Sequence, residues 1–253
     1  MPKKISLKQF LMRTGYFKNS EECVSAIRKK EITLNGAAID NPNHYFNPKK
    51  YVVKCKNERL KPVKKMYFAL NKPQGFICQK SPGEKSVYDL LESLKLPKPH
   101  TSSLFAVGRL DKDTEGLIVI TNDGRLSDKL AKPERNISKK YLAELEKPIT
   151  GEQTSRMENG IEIIVDDKPY KTKPCVINSI SDKKLEITIY EGKKRQIKKM
   201  LEAVGSSVAL LKRIAIGGLE LEDLKIGQFR ELQREEIYKM LFDGAQVHRK
   251  KIS

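Results

Sequence analysis

The sequence predicts an α+β protein: a small basic module, then a larger domain with a mixed, mostly antiparallel central sheet flanked by helices. Three observations predict it. Beyond residue 65, β-type segments outnumber helical ones, and the helices fall between them irregularly, unlike a doubly wound sheet. Lys+Arg number 50 against 32 Asp+Glu, a net +18, and residues 1–65 hold 16 of the basic and 5 of the acidic side chains, so a quarter of the 253 residues carries +11. Hydrophobic residues reach 38%, enough for a core, yet no apolar run approaches the roughly 18 residues that span a bilayer. Such a charge implies a polyanionic partner, nucleic acid or an acidic membrane face.

The basic module reads as two short helices feeding a small sheet. "LKQFLMRTGYF" sets Leu7, Phe10 and Leu11 at helical spacing, with Gly15 as a stop. "NSEECVSAIRKK" predicts a second helix capped by Ser20, with Glu21 and Glu22 near its positive end and Lys29 and Lys30 near its negative end. "ITLNGAAI" reads as strand, Asn35-Gly36 turn and strand, and "YVVKC" as another strand. Lys3, Lys4, Lys8, Arg13, Lys18 and Arg28 stud this frame and make it a candidate RNA grip; the plain alternative is a lysine-rich surface on a small domain. Residues 1–57 resemble the alpha-L RNA-binding motif of a small-subunit ribosomal protein, through the helix–turn–helix spacing and the "ITLNG" ending. The usual arginine-bearing start of the second helix is replaced by "FKNSEE".

"ERLKPVKK", residues 58–65, reads as a charged, proline-containing linker, and residues 66–244 as the larger domain. Its strands are expected at "MYFALN", "GFICQ", "LFAVGRL", "GLIVIT", "KKYLAELE", "IEIIV", "KPCVINSI", "KLEITIY" and "SVALLKRIAI". Helices are expected at "SVYDLLESL", "RLSDKL", "RQIKKMLEAVG" and "REEIYKMLF". Residues 245–253 form a basic tail.

Several classes are disfavoured. The N-terminus carries no apolar signal core. Cys23, Cys55, Cys78 and Cys175 lie far apart with no C-x-x-C pair, so zinc and disulfide frameworks are not expected, and reduced thiols in a cytoplasm are. His44, His100 and His248 are too scattered for a metal site or a Ser-His pair. No membrane association is expected, and nothing in the chain demands more than a monomer.

The stretch "GRLDKDTEGL", residues 108–117, is the chemical focus. Asp111, Asp113 and Glu115 sit at positions one, three and five of a calcium-type loop, with Gly116 at six. That reading fails where Asn122 replaces the bidentate Glu and where "LIVIT" follows as a buried strand instead of a helix. A solvated turn is the bland alternative. A loop leading into a buried strand is also a rigid place to hold a functional carboxylate.

"GRLDKDTEGLIVITNDG" resembles the active-site signature of pseudouridine synthases, in the branch that modifies ribosomal RNA and carries an N-terminal alpha-L domain. "LNKPQGFIC" resembles the first motif of that family, "KKYLAEL" the segment with its active-site tyrosine, "EGKKRQIKKM" its late basic motif, and "LLKRIAIGGLELEDLKIGQFREL" its closing strand and turn. The ordered blocks cover nearly the whole chain.

The resemblance implies an isomerase that detaches uracil from ribose, turns the ring over and rejoins it through a ring carbon. No cofactor and no metal are implied. Asp111 becomes the carboxylate at the anomeric carbon, stabilising an oxocarbenium-like species, attacking it, or taking a proton from the sugar. Lys198 is implied as the cation paired with that aspartate, and Tyr141 as the ring that stacks on uracil. Arg109 matches a residue that enters the gap left by a flipped nucleotide; its alternative is an ion pair with Asp113 or Glu115. Lys72 is expected at a phosphate or sugar, and Arg195 and Gln196 as pocket supports at a helix start with RNA contact. Ribosomal RNA is the expected substrate and transfer RNA the alternative. A non-catalytic RNA-binding or assembly factor and a hydrolytic base-removing enzyme are the rivals.

Overall fold

The computed structural model describes residues 4–243. Lys3, His248 and the basic tail lie outside the described residues. Contacts divide the chain into two units: the chain up to Met66 with Leu91–Phe105, and Tyr67–Leu90 with the chain from Ala106 on.

The first unit runs β1 (Ile5–Ser6), α1 (Leu7–Met12), α2 (Ser20–Arg28), β2 (Ile32–Leu34), β3 (Ala37–Ala38), β4 (Tyr45–Phe46), β5 (Val53–Cys55) and β6 (Glu58–Leu60), with α3 (Lys98–Ser103) joining later. Ser6 opens α1 through a reciprocal cap: its hydroxyl accepts from the Gln9 N–H at 3.2 Å, and Gln9 Oε1 accepts from the Ser6 N–H at 3.4 Å. The cap of α2 is Asn19, not Ser20; Asn19 Oδ1 accepts from the Glu22 N–H at 2.8 Å, which places Ser20 inside the helix. Asn35 (φ 50) and Gly36 (φ 92) make the expected hairpin turn between β2 and β3. The sheet order is β3-β2-β5-β6, so the stretch expected as a linker begins as a strand. Leu7, Phe10, Leu11, Cys23, Ile27, Ile32 and Val53 bury together as the core.

The second unit contains β7 (Tyr67–Lys72), β8 (Phe105–Val107, at its boundary), β9 (Glu115–Thr121), α4 (Gly124–Ala131), β10 (Lys139–Leu145), α5 (Gly151–Glu158), β11 (Glu162–Val165), β12 (Lys168–Lys171), β13 (Val176–Ser181), β14 (Lys184–Ile189), α6 (Gln196–Ala203), β15 (Val208–Ile216), β16 (Leu219–Glu220), β17 (Phe229–Glu231) and α7 (Arg234–Phe242). The main sheet runs β13-β14-β10-β15-β9-β7-β17. Along that path every neighbouring pair is antiparallel except β15–β9, which is parallel. The sheet is therefore mixed and mostly antiparallel, as its sequence predicts. Every residue of β7 and β9 is buried, because the two strands are central and covered on both faces.

Some expected elements differ. "GFICQ" contributes only an isolated bridge between Ile77 and Ser86. "SVYDLLESL" forms a tight 3-10 segment, Asp89–Leu94, in place of an α-helix. Helix α5 and strand β12 were not expected: "GEQTSRME" buries only Thr154 and Met157, too few for a visible periodicity, and β12 is an exposed hairpin partner of β11.

Gly116 fixes the parallel seam. It adopts φ +108 beside Arg213, and a Cβ there would lie 2.3 Å from the Arg213 carbonyl oxygen. Only glycine lets the two backbones approach. All four cysteines are buried and free. Among the described residues, no helix is long and apolar enough to cross a membrane.

Candidate active site

Residues 108–114 form the turn that feeds β9, and one chain segment braces it. The Thr114 N–H donates to the Asp111 carbonyl at 3.1 Å, closing the turn. The Gly75 N–H donates to the Lys112 carbonyl at 2.8 Å. The Cys78 thiol accepts from the Leu110 N–H at 3.2 Å and donates to its carbonyl at 3.3 Å. Lys112 pairs with Glu84 at 2.5 Å. Each bond runs between the turn and residues 72–84 or within the turn itself, so Asp111 sits on a backbone held from several directions.

Lys72 departs from its expected role. It is 0% exposed, and its ammonium donates to the Thr114 carbonyl at 2.7 Å and the Pro73 carbonyl at 2.9 Å. Burial lowers its pKa, an effect opposed by Cys78, Asp113 and Asp111. A cation so placed is a brace for the turn and does not reach an RNA phosphate.

A cavity opens over the turn. Asp111, half-buried, lines it with Arg109, Thr114, Tyr141, Ile189, Arg195 and Gln196. Tyr141 comes from β10 and is 9% exposed. Its register partners are Ile187 on β14 and Arg213 on β15, so these three side chains share one face of the sheet. Lys139 lies two residues before Tyr141, on that same face. Burial pushes its ammonium pKa down to about 8; Arg213 adds to the shift and Glu191 opposes it. Arg213 is 4% exposed, and its Nε donates to the Leu117 carbonyl at 2.7 Å.

Helix α6 supplies the other wall. The helix begins at Gln196, so Lys194 precedes it and pairs with Asp166 at 3.6 Å, whereas Lys198 is buried. The expected Lys198–Asp111 pair is not formed. Lys198 Nζ lies 2.6 Å from Asp113 Oδ2, and Arg195 Nη1 lies 3.1 Å from the same oxygen. Asp113 reaches these cations from the turn, two residues beyond Asp111. Burial raises its pKa, but Lys198 and Arg195 outweigh that effect and hold it below the ordinary carboxylate value. Arg195 caps α6 in the left-handed region (φ 55), a costly conformation for a residue with a Cβ, and from there it pairs with Asp113.

Gln196 is also committed internally. Its Nε2 donates to Glu191 at 2.8 Å, and its Oε1 accepts from the Lys193 N–H at 3.0 Å. It lines the cavity while bracing the loop before α6. Arg109 is exposed at the cavity rim, and its alternative role as partner of Asp113 or Glu115 does not hold: Asp113 has the α6 cations, and Glu115 pairs with Lys212 at 3.4 Å. Those pairings bind Asp113 and Glu115 to protein cations, and the described residues contain no group of three or more His, Cys, Asp or Glu arranged to hold a metal.

In the first unit, Arg13, Lys18 and Arg28 are exposed and Lys8 half-buried. None of the four forms an ion pair among the described residues, where Lys30 pairs with Asp40 and Lys56 with Glu31.

The turn, tyrosine and basic helix together invite comparison with known proteins. The profile of the RNA pseudouridylate synthase family matches residues 66–203. The chain belongs to the RNA pseudouridylate synthase family. Ribosomal small subunit pseudouridine synthase A of Escherichia coli K12 is 34% identical to this synthase over 213 residues, 83% of this chain and 89% of the relative. An uncharacterised RNA pseudouridine synthase of Bacillus subtilis is 32% identical over 238 residues, 92% of this chain and 96% of its own. A crystal structure of a pseudouridylate synthase superposes with a TM-score of 0.65 at 28% identity, covering 93% of this chain and 99% of its own. This synthase is therefore an RNA-modifying isomerase. The sequence singles out Asp113 only as a calcium-loop position and as an alternative partner of Arg109, and it does not single out Lys139 or Arg213 at all. Those two sit in segments that read as strands, where a single charge gives no sign that it points inward.

Proposed function

We propose that this synthase converts a uridine of ribosomal RNA to pseudouridine at Asp111, in the cytoplasm and as a monomer. The observation that carries this reading is the single cavity shared by Asp111 and Tyr141. The name of the Escherichia coli relative, a ribosomal small subunit synthase, supports ribosomal RNA as substrate.

The chemistry follows from the residues. A uridine within a helix or stacked loop cannot reach the cavity, so it everts, and Arg109 at the rim fills the vacated stack. The ring lies against Tyr141 with Ile189 beside it. The Asp111 carboxylate acts at the anomeric carbon as the bond from C1′ to N1 breaks. The ring turns, a bond forms between C1′ and C5, the C5 proton leaves and N1 gains one. Atoms balance, and no redox partner is required. Tyr141 is placed beside the ring for the C5 proton. The basic side chains Lys8, Arg13, Lys18 and Arg28 of the first unit dock the RNA by its phosphates.

Tritium release from ribosomal RNA transcripts labelled at uracil C5 tests the reading. The wild-type protein releases tritium, and Asp111→Asn binds the transcript with unchanged affinity but releases none. Release by Asp111→Asn at the wild-type rate removes Asp111 from the chemistry. Binding with no release by either protein favours a non-catalytic RNA-binding factor.

A further inference from the structure

Thr114 closes the turn with its backbone fully engaged. Its N–H serves the Asp111 carbonyl, and its carbonyl takes the Lys72 ammonium. Its side chain is the opposite case. The residue is 2% exposed, yet its hydroxyl oxygen has no hydrogen-bond partner. Buried hydroxyls are normally paired, and an orphan calls for an explanation.

Asp111 has the complementary deficit. Its carboxylate takes part in no ion pair or side-chain hydrogen bond among the described residues, and of the cations near it three are committed elsewhere while Arg109 is exposed at the rim. Lys198 and Arg195 hold Asp113, and Lys72 holds two carbonyls. Thr114 and Asp111 belong to one turn and line one cavity. A buried donor without an acceptor thus stands three residues from a carboxylate without a donor.

We propose that Thr114 is a positioning residue for the isomerisation: turned about its χ1 when a nucleoside fills the cavity, its hydroxyl donates to the Asp111 carboxylate. This inference rests on the reading of Asp111 given above. The bond fixes which carboxylate oxygen faces the sugar. Charged or titratable groups around Asp111 include Lys72 from β7, Arg109, Lys112 and Asp113 in the turn, Arg195 at the cap of α6, Lys198 within it, and Tyr141 from β10.

The test compares Thr114→Val, which keeps the shape and removes the donor, with Thr114→Ser, which keeps the donor. Tritium release from a C5-labelled small-subunit ribosomal RNA transcript is measured over a range of RNA concentrations. Thr114→Val lowers kcat about tenfold, the scale of one hydrogen bond, with KM within about twofold. Thr114→Ser restores the rate. Binding of uridine monophosphate by ligand-observed NMR confirms that the cavity is intact in each variant; should Thr114→Val not fold, Thr114→Ala makes the same comparison. An unchanged kcat, or a loss that Thr114→Ser does not restore, overturns the role of Thr114 while leaving Asp111 in place. Failure of the wild-type protein to release tritium overturns the reading of Asp111 and this inference with it.

Discussion

Lys198 Nζ stands 2.6 Å from Asp113 Oδ2, and the same carboxylate oxygen takes Arg195 at 3.1 Å. Asp113 therefore ties the turn before β9 to the first residues of α6, and two walls of the cavity meet at one carboxylate.

Replacing that carboxylate separates the walls. Asp113→Asn leaves the mostly buried Lys198 without its anion and lowers stability by about 1 kcal/mol; half-exposure of the Asp113 side chain limits the loss. The sign with pH is fixed by the lowered pKa of Asp113. Its contribution is fully present above the ordinary carboxylate value of 3.8 and is lost as pH falls through the lower folded value. Chemical denaturation of wild type and variant between pH 6 and about 2 should show the difference shrinking only at the acid end. A constant difference over that range would show that the ion pair contributes nothing.

Lys72→Met removes the buried ammonium and strands two carbonyls, those of Pro73 and Thr114. Stranded buried acceptors cost about 1–3 kcal/mol each, partly offset by the gain of an apolar side chain where a charge had been desolvated. The expected outcome is a net loss of about 1–3 kcal/mol in urea unfolding, together with a fall in tritium release that exceeds any fall in RNA affinity. A loss of affinity alone, with turnover intact, would return Lys72 to the role of phosphate contact.

Lys139 makes the protein more stable in mildly alkaline solution. Its folded pKa is about 8 against an ordinary 10.5, so in that interval the unfolded chain holds a proton that the folded chain does not. Its contribution to stability therefore rises as pH climbs from about 8 to 10.5. Lys139→Met should flatten the rise seen for wild type in melting temperature over that interval. Parallel pH curves for the two proteins would refute the buried-ammonium assignment.

Neutralising Lys8, Arg13, Lys18 and Arg28 together addresses the first unit. The four form no ion pair among the described residues, so their loss should leave the melting temperature nearly unchanged. The slope of log affinity for RNA against log salt should fall by about 0.7–0.9 for each side chain that meets a phosphate. An unaltered slope would place docking on other surfaces.

How much of this was legible in the sequence depended on the kind of signal. Strands β7, β9, β10, β14 and β15 could be read because buried central strands need continuous or alternating apolar residues. Asp111 and Tyr141 were legible through motif order, and the structure brings them to one cavity. The partner of Lys198 was not legible: Asp111 and Asp113 are two residues apart in a turn, and which one faces α6 depends on the conformation of that turn. Lys72 could not be recognised as buried, because a lysine beside a proline–glycine turn looks the same whether its ammonium faces water or the carbonyl of a residue 42 positions away. Helix α5 escaped because its stability comes from the Thr150–Gln153 cap and from packing, with little periodicity of its own.

The braces on the turn before β9 have an implication for protein engineering. Lys72 at the end of β7 and Gly75, Cys78 and Glu84 in the loop after it hold three residues of the turn, Thr114, Lys112 and Leu110. Transplanting the signature peptide by itself into a homologous scaffold would separate a key from its lock. The smallest portable cassette is discontinuous, and a chimera must carry both pieces across together to keep its chemistry.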